Sequence, residues 1–213
     1  MPLERIERRK VWSGWLRLAH WSLAFATLAL MLTGWLISAD LAARQAMIDY
    51  HYIAGGVLTL GLLLRLWLLV TEHGPGGWRA LVPGKPDLQA AWQTLQYYLS
   101  FTRAPLPRWY AHNPAWLPLY AILLLSLATL AVSGYLMDDR TVLLGLYVPR
   151  IHDTGAAIVD FIVVLHIAAV FLHDLKSPSC EVSGMINGYR YFPVQPLQTP
   201  PGEHHISLDS LRR

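Results

Sequence analysis

The chain has 213 residues, 54% of them apolar and only 15% charged, with nine Trp, ten Tyr, nine His and a formal charge of +3. That balance lies outside the soluble globular norm and points to an integral membrane protein. A single cysteine, Cys180, excludes an intrachain disulfide, a thiolate-rich metal cluster and the C-x-x-C-H attachment of a c-type haem, and the lack of any glycine-rich phosphate-binding stretch gives no reason to expect a nucleotide or nucleic acid as partner.

In chain order, a short basic arm, MPLERIERRKVW, precedes the apolar run GWLRLAHWSLAFATLALMLTGWLI at residues 14–37, which is long enough to cross a bilayer. Basic residues followed by an apolar run also describe a secretory signal. This run exceeds a signal core and carries Arg17 and His20, so it reads as a retained first span. The second span is residues 50–70, YHYIAGGVLTLGLLLRLWLLV. The connection after it begins with turn chemistry, EHGPGGWRALVPGKP. Residues 87–102 then put Leu88, Ala91, Trp92, Leu95, Tyr98 and Leu99 on one helical face, which predicts an amphipathic helix on the membrane surface rather than a fifth span.

Asn113 and Pro114 form a capping residue and a first-turn proline, and open the third span, 114–137. A loop with Asp138, Asp139 and Arg140 and the apolar patch TVLLGLYVP lead to the fourth span, 151–175. The tail, 176–213, is rich in Pro, Ser and charge; it is expected outside the membrane, and Cys180 and the His204–His205 pair within it suggest no site. The expected fold is all-α: a four-helix membrane bundle over residues 1–175, a surface helix between spans two and three, and a tail.

Lys and Arg set the orientation. The N-terminal arm, the long second connection and the tail hold twelve (Arg5, Arg8, Arg9, Lys10, Arg79, Lys85, Arg103, Arg108, Lys176, Arg190, Arg212 and Arg213), whereas the two short loops hold three, Arg44, Arg140 and Arg150. The positive-inside rule therefore places both termini in the cytoplasm of a multi-pass inner-membrane protein.

The histidines fall at matched depths. His152 and His166 lie fourteen residues apart in the fourth span, nearly four whole turns, so both rings project from almost one face about 21 Å apart along the axis. His51 opens the second span at the outer face with His152, and His20 lies in the first span at the inner level of His166. A helical bundle with facing imidazoles holds a planar cofactor, and neutral imidazole is an axial ligand of haem iron. Nearby glycines, Gly34, Gly55, Gly56, Gly134 and Gly155, leave room for a macrocycle, although glycine is common in membrane helices anyway. The competing reading has isolated polar residues making interhelical hydrogen bonds of about 1 kcal/mol each, which the two-by-two depth match disfavours.

Arg17 and Arg65 near the inner helix ends suit haem propionates, or else snorkel to headgroups. Asp160 is either a protonated structural group or part of a proton path. His112 and His173, near the inner surface, are either quinone-site residues or ordinary interface residues.

The chain resembles the di-haem b-type cytochrome subunit that anchors membrane-bound nickel–iron hydrogenases, with relatives in formate dehydrogenases and thiosulfate reductases. The resemblance runs through RLAHW, YHYIAGGVLTLGLLLRLW, LQYYLSFTRAPLPRWYAHNP, the RIH…LHIAAVFLHD pattern and SGMINGYRYF. It departs at Asp153 and Thr154, where the family pattern has a second aromatic-flanked histidine, and in its short outer loops. The resemblance implies two non-covalent b haems, an inner one on His20 and His166 and an outer one on His51 and His152. It also implies an extracytoplasmic iron–sulfur subunit as redox partner, quinone as the other, and a role as the electron-transfer subunit of an oxidoreductase complex with quinone reductase activity. Formate, thiosulfate or a c-type cytochrome are alternative donors, self-association is open, and a haem-free membrane anchor or small transporter is the reading from another class.

Overall fold

The computed structural model describes residues 5–39, 42–100, 103–105, 107, 109–139, 141–176 and 181–194. Arg108, Arg140, Cys180, His204, His205, Arg212 and Arg213 therefore lie outside the described residues. Strand β1 (Arg5–Lys10) leads into helix α1 (Gly14–Ser38), whose N-cap Ser13 accepts from the Leu16 amide at 3.0 Å. Ser13 also donates to the carboxylate of Glu72, the residue that caps α2 (Arg44–Thr71). The entrance of the first span is thus tied to the exit of the second.

A 3₁₀ turn (Trp78–Leu81) precedes α3 (Lys85–Leu99), the expected surface helix. Its Leu88, Trp92, Leu95 and Leu99 are exposed along one side, while Thr94 and Tyr97 are buried on the other. Asn113 accepts from the Ala115 amide at 3.0 Å and starts a 3₁₀ turn (Pro114–Trp116) that runs into α4 (Leu117–Leu136). A two-residue ladder, β2 (Val142–Leu143) with β3 (Leu146–Tyr147), turns through Leu144 and Gly145, both at positive φ, into α5 (Val148–Lys176). The chain closes with α6 (Glu181–Asn187) and β4 (Tyr189–Val194).

Among the described residues, four helices are long and apolar enough to cross a membrane: Gly14–Ser38, Arg44–Thr71, Pro114–Leu136 and Val148–Leu175. They form an all-α membrane bundle of two hairpins, α1 with α2 and α4 with α5, joined through α2 and α4. Hydrocarbon offers no hydrophobic drive between helices, so close packing around small residues has to hold them. A Cβ at Gly61 would lie 3.2 Å from Ser22 Cβ, and one at Gly155 3.2 Å from Leu130 Cδ2. These glycines let α2 approach α1 and α5 approach α4. The buried centre is Ala26, Leu58, Leu62, Leu127 and Val159, contributed by all four spans.

Two departures from the sequence reading are informative. Helix α2 starts six residues before the expected boundary, because its first turns are polar and hydropathy detects only the apolar stretch. The tail is partly built into the fold: β4 pairs antiparallel with β1, Arg5 opposite Val194 through Lys10 opposite Tyr189. Gly188, at φ +88, offers its carbonyl to the amides of Val11 and Trp12 at 2.9 and 3.1 Å. Charged RIERRK has no strand signature of its own, so it is the partner strand that makes it one.

Candidate cofactor site

The structure brings the four intramembrane histidines together in the two expected pairs. His20 of α1 faces His166 of α5, with ring centroids 6.3 Å apart and planes at 66°. His51 of α2 faces His152 of α5, also at 6.3 Å, with planes at 60°. Both pairs bridge helices that scarcely touch, since α5 packs on α4 rather than on α1 or α2. The space between each pair is therefore flanked by helices held apart.

These residues fit a haem. An iron–imidazole bond of about 2 Å on either side, with each ring centre about 1 Å beyond its nitrogen, puts two opposed ligand rings about 6 Å apart. Among the described residues no group of three or more His, Cys, Asp or Glu converges on one point. A metal held by two protein nitrogens leaves four positions for other donors, which is the number a porphyrin supplies. Glycines keep the cradle open: a Cβ at Gly34 would lie 3.6 Å from His51 Cε1, and one at Gly134 only 3.3 Å from His152 Cε1.

Hydroxyl groups hold the second pair. Thr33 Oγ1 donates to the Ala29 carbonyl at 2.7 Å and lies 2.8 Å from His51 Nδ1. Ser133 Oγ donates to the Leu130 carbonyl at 3.3 Å and lies 2.9 Å from His152 Nδ1. The first pair has aromatic neighbours instead, Trp21 edge-on to His20 at 5.3 Å and Trp116 edge-on to His166 at 5.6 Å. None of these four supporting residues, Thr33, Ser133, Trp21 and Trp116, was marked in the sequence as functional. The one available signal was the near-repeat of Leu32-Thr33-Gly34-Trp35 as Val132-Ser133-Gly134-Tyr135, each followed by a histidine at the start of the next span.

Both arginines sit at the end of the bundle that carries β1 and β4. Arg65 is 2% exposed, so it does not snorkel; it donates to the Tyr120 hydroxyl and, at 2.7 Å, to the Gly76 carbonyl. Arg17 donates to the Ile186 carbonyl at the end of α6. Each keeps one buried nitrogen without a partner among the described residues, Nε of Arg17 and Nη2 of Arg65. Asp160 accepts from Trp35 Nε1 at 3.1 Å, a contact reaching from α5 to α1.

His112 and His173 lie in different surroundings. His112 lies edge-on to Trp12 and Tyr120 and lines a cleft of about 690 Å³ with Trp109, Arg79, Pro86 and Pro114. Burial, with the Arg65 and Arg190 guanidiniums nearby, lowers His112 to about 4, so it is neutral at physiological pH. His173 is outside that cleft, in a box of Tyr97, Tyr98 and Trp109, with Tyr98 Oη 2.6 Å from its Nε2 and its buried Nδ1 without a partner. Trp109 is common to both settings.

Comparison with known proteins gives a family match over residues 11–188, to the model described as prokaryotic cytochrome b561. The chain is similar to proteins described as "Probable Ni/Fe-hydrogenase B-type cytochrome subunit". The one from Cupriavidus necator is 26% identical over 88% of this chain and 88% of its own length, and that from Azotobacter vinelandii 27% identical over 83% and 86%. A protein of Escherichia coli K12, described as "Probable Ni/Fe-hydrogenase 1 B-type cytochrome subunit", is 22% identical over 82% and 87%. No solved structure matches the chain.

Proposed function

Because the chain belongs to the prokaryotic cytochrome b561 family, we propose that it carries electrons between an extracytoplasmic iron–sulfur subunit of a hydrogenase-like enzyme and the quinone pool, through two b haems at different membrane depths. The protein is a multi-pass membrane cytochrome of the b type, which binds b haem and serves electron transfer. Bound haem supplies the one-electron iron chemistry, and the protein supplies position and environment.

In this reading His20 and His166 ligate the inner haem, and His51 and His152 the outer one. Arg17 and Arg65 direct their spare N–H groups to propionates at the inner end. The cleft beside His112 takes a quinone head, with neutral His112 as its hydrogen-bonding partner. His173 orders the same region through Tyr98 and Trp109. The observation that carries the reading is the equal 6.3 Å separation of two histidine pairs that share one helix. The similarity to hydrogenase cytochrome subunits points to the donor.

Purified protein is expected to carry two haems per chain, extractable by acidified solvent without thioether cleavage, as the pyridine haemochrome assay measures. Colourless protein, or one haem per chain with all four histidines intact, would overturn the two-site reading.

Both termini are assigned to the cytoplasmic side of the inner membrane, on the twelve-to-three distribution of Lys and Arg. Reporters fused after Leu41 and Leu144 are expected outside, and those at Gly84 and the C-terminus inside. A C-terminal reporter active on the outside would reverse the assignment of inner and outer haems.

A further inference from the structure

The two histidine pairs are not held alike, and the difference has a chemical direction. A hydroxyl has one hydrogen. Thr33 gives its hydrogen to the Ala29 carbonyl at 2.7 Å, so its 2.8 Å bond to His51 has to be one it accepts. Ser133 donates to the Leu130 carbonyl at 3.3 Å and likewise accepts from His152 at 2.9 Å. Both outer rings therefore carry hydrogen on Nδ1 and a lone pair on Nε2. His20 and His166 make no hydrogen bond among the described residues; their ring neighbours are Trp21 and Trp116.

We propose that Thr33 and Ser133 are positioning residues for the outer haem: each hydroxyl accepts the Nδ1–H of its histidine, aims Nε2 at the iron, and sets the outer midpoint potential below the inner one. An imidazole whose N–H is hydrogen-bonded is a more basic ligand, and a more basic ligand favours the ferric state. Two guanidiniums, half-buried Arg17 and buried Arg65, stand at the inner end, whereas Arg150 near the outer pair is exposed. Positive charge favours the reduced iron there, so it widens the gap in the same sense. The near-repeat that places Thr33-Gly34 beside His51 and Ser133-Gly134 beside His152 makes the device two-sided: one hydroxyl for each axial ligand.

The proposal rests on the two-haem reading, and the test separates the two. Thr33→Val, Ser133→Ala and the double variant are purified and titrated potentiometrically, with each haem followed by its optical band and its electron paramagnetic resonance signal. His51→Ala, which retains only the inner centre, assigns the bands. The outer midpoint should rise in each single variant by about the tenfold change in equilibrium expected for losing a ligand's hydrogen-bond partner, about 59 mV for one electron. It should rise further in the double variant, with the inner midpoint fixed. Thr33→Ser and Ser133→Thr, which keep the hydroxyl, should titrate like the parent. Unmoved midpoints in variants that retain both haems would overturn the proposal, as would a parent whose outer haem titrates above the inner. A parent holding fewer than two haems would overturn the two-haem reading and this proposal with it.

Discussion

Replacing any one of His20, His51, His152 or His166 by alanine is expected to halve the haem content, and the haem lost should depend only on the layer. His20→Ala and His166→Ala should empty the inner site, and His51→Ala and His152→Ala the outer. The two α5 histidines are fourteen residues apart, about 21 Å along the axis. A ligand nitrogen must come within about 2 Å of iron, so no rotamer lets His51 serve the site of His166. His112→Ala and His173→Ala should keep both haems and impair quinone reduction alone, since these rings touch Trp12, Tyr120, Tyr98 and Trp109 rather than a paired histidine. Haemochrome content with separate redox titration of each centre checks the set. If His173→Ala emptied a site that His166→Ala left filled, the inner pair would be wrong.

Arg65→Met is expected to destabilise the bundle by about 2–4 kcal/mol, from two lost hydrogen bonds with a charged donor at about 1.5–3 kcal/mol each, partly offset by removing a buried charge. The substitution keeps most of the side-chain volume, so the loss is not one of packing. It leaves the Gly76 carbonyl, in the turn after α2, and the Tyr120 hydroxyl without their donor. That turn supplies Gly74 and Pro75 to the cleft beside His112, so quinone-linked oxidation of the haems should fall as well. Arg65→Lys should rescue little, because one ammonium cannot span both acceptors as the planar fork does. Thermal unfolding in detergent, with haem release as a second probe, measures the effect. A change under about 0.5 kcal/mol, the range of ordinary surface substitutions, would refute it.

Much of the architecture was readable in the sequence because membrane helices announce themselves by continuous apolar length, and because four turns of spacing between His152 and His166 put two histidines on one face. The start of α2 was not readable. Its first turns carry Arg44, Gln45 and Asp49, with Gln45 donating to Asp49 at 3.1 Å, and such turns resemble a loop to any hydropathy measure. Thr33 and Ser133 stayed hidden for a different reason. Hydroxyls in membrane helices commonly bond back to a carbonyl one turn earlier, and both do so; their second bond, to a residue eighteen or nineteen positions on, has no local signature. Arg17 also donates through Nη1 to the Ile186 carbonyl, near the other end of the chain. A contact that remote cannot be inferred from spacing.

The β1–β4 ribbon also governs the order in which the molecule is completed. Arg5 pairs with Val194, so at an elongation rate of about 5–20 residues per second β1 emerges roughly 10–40 s before its partner exists. During that interval all four spans are made and threaded. Only then do the carbonyls of Met185, Ile186 and Gly188 arrive to take the donors of Trp21, Arg17, Val11 and Trp12. Closing so long a loop is entropically slow, which places this ribbon at the end of biogenesis. The ribbon is a clasp that fastens only after all four spans have been made, and a product cut short before Gly188 leaves the amides of Val11 and Trp12, at the mouth of its first span, without that acceptor.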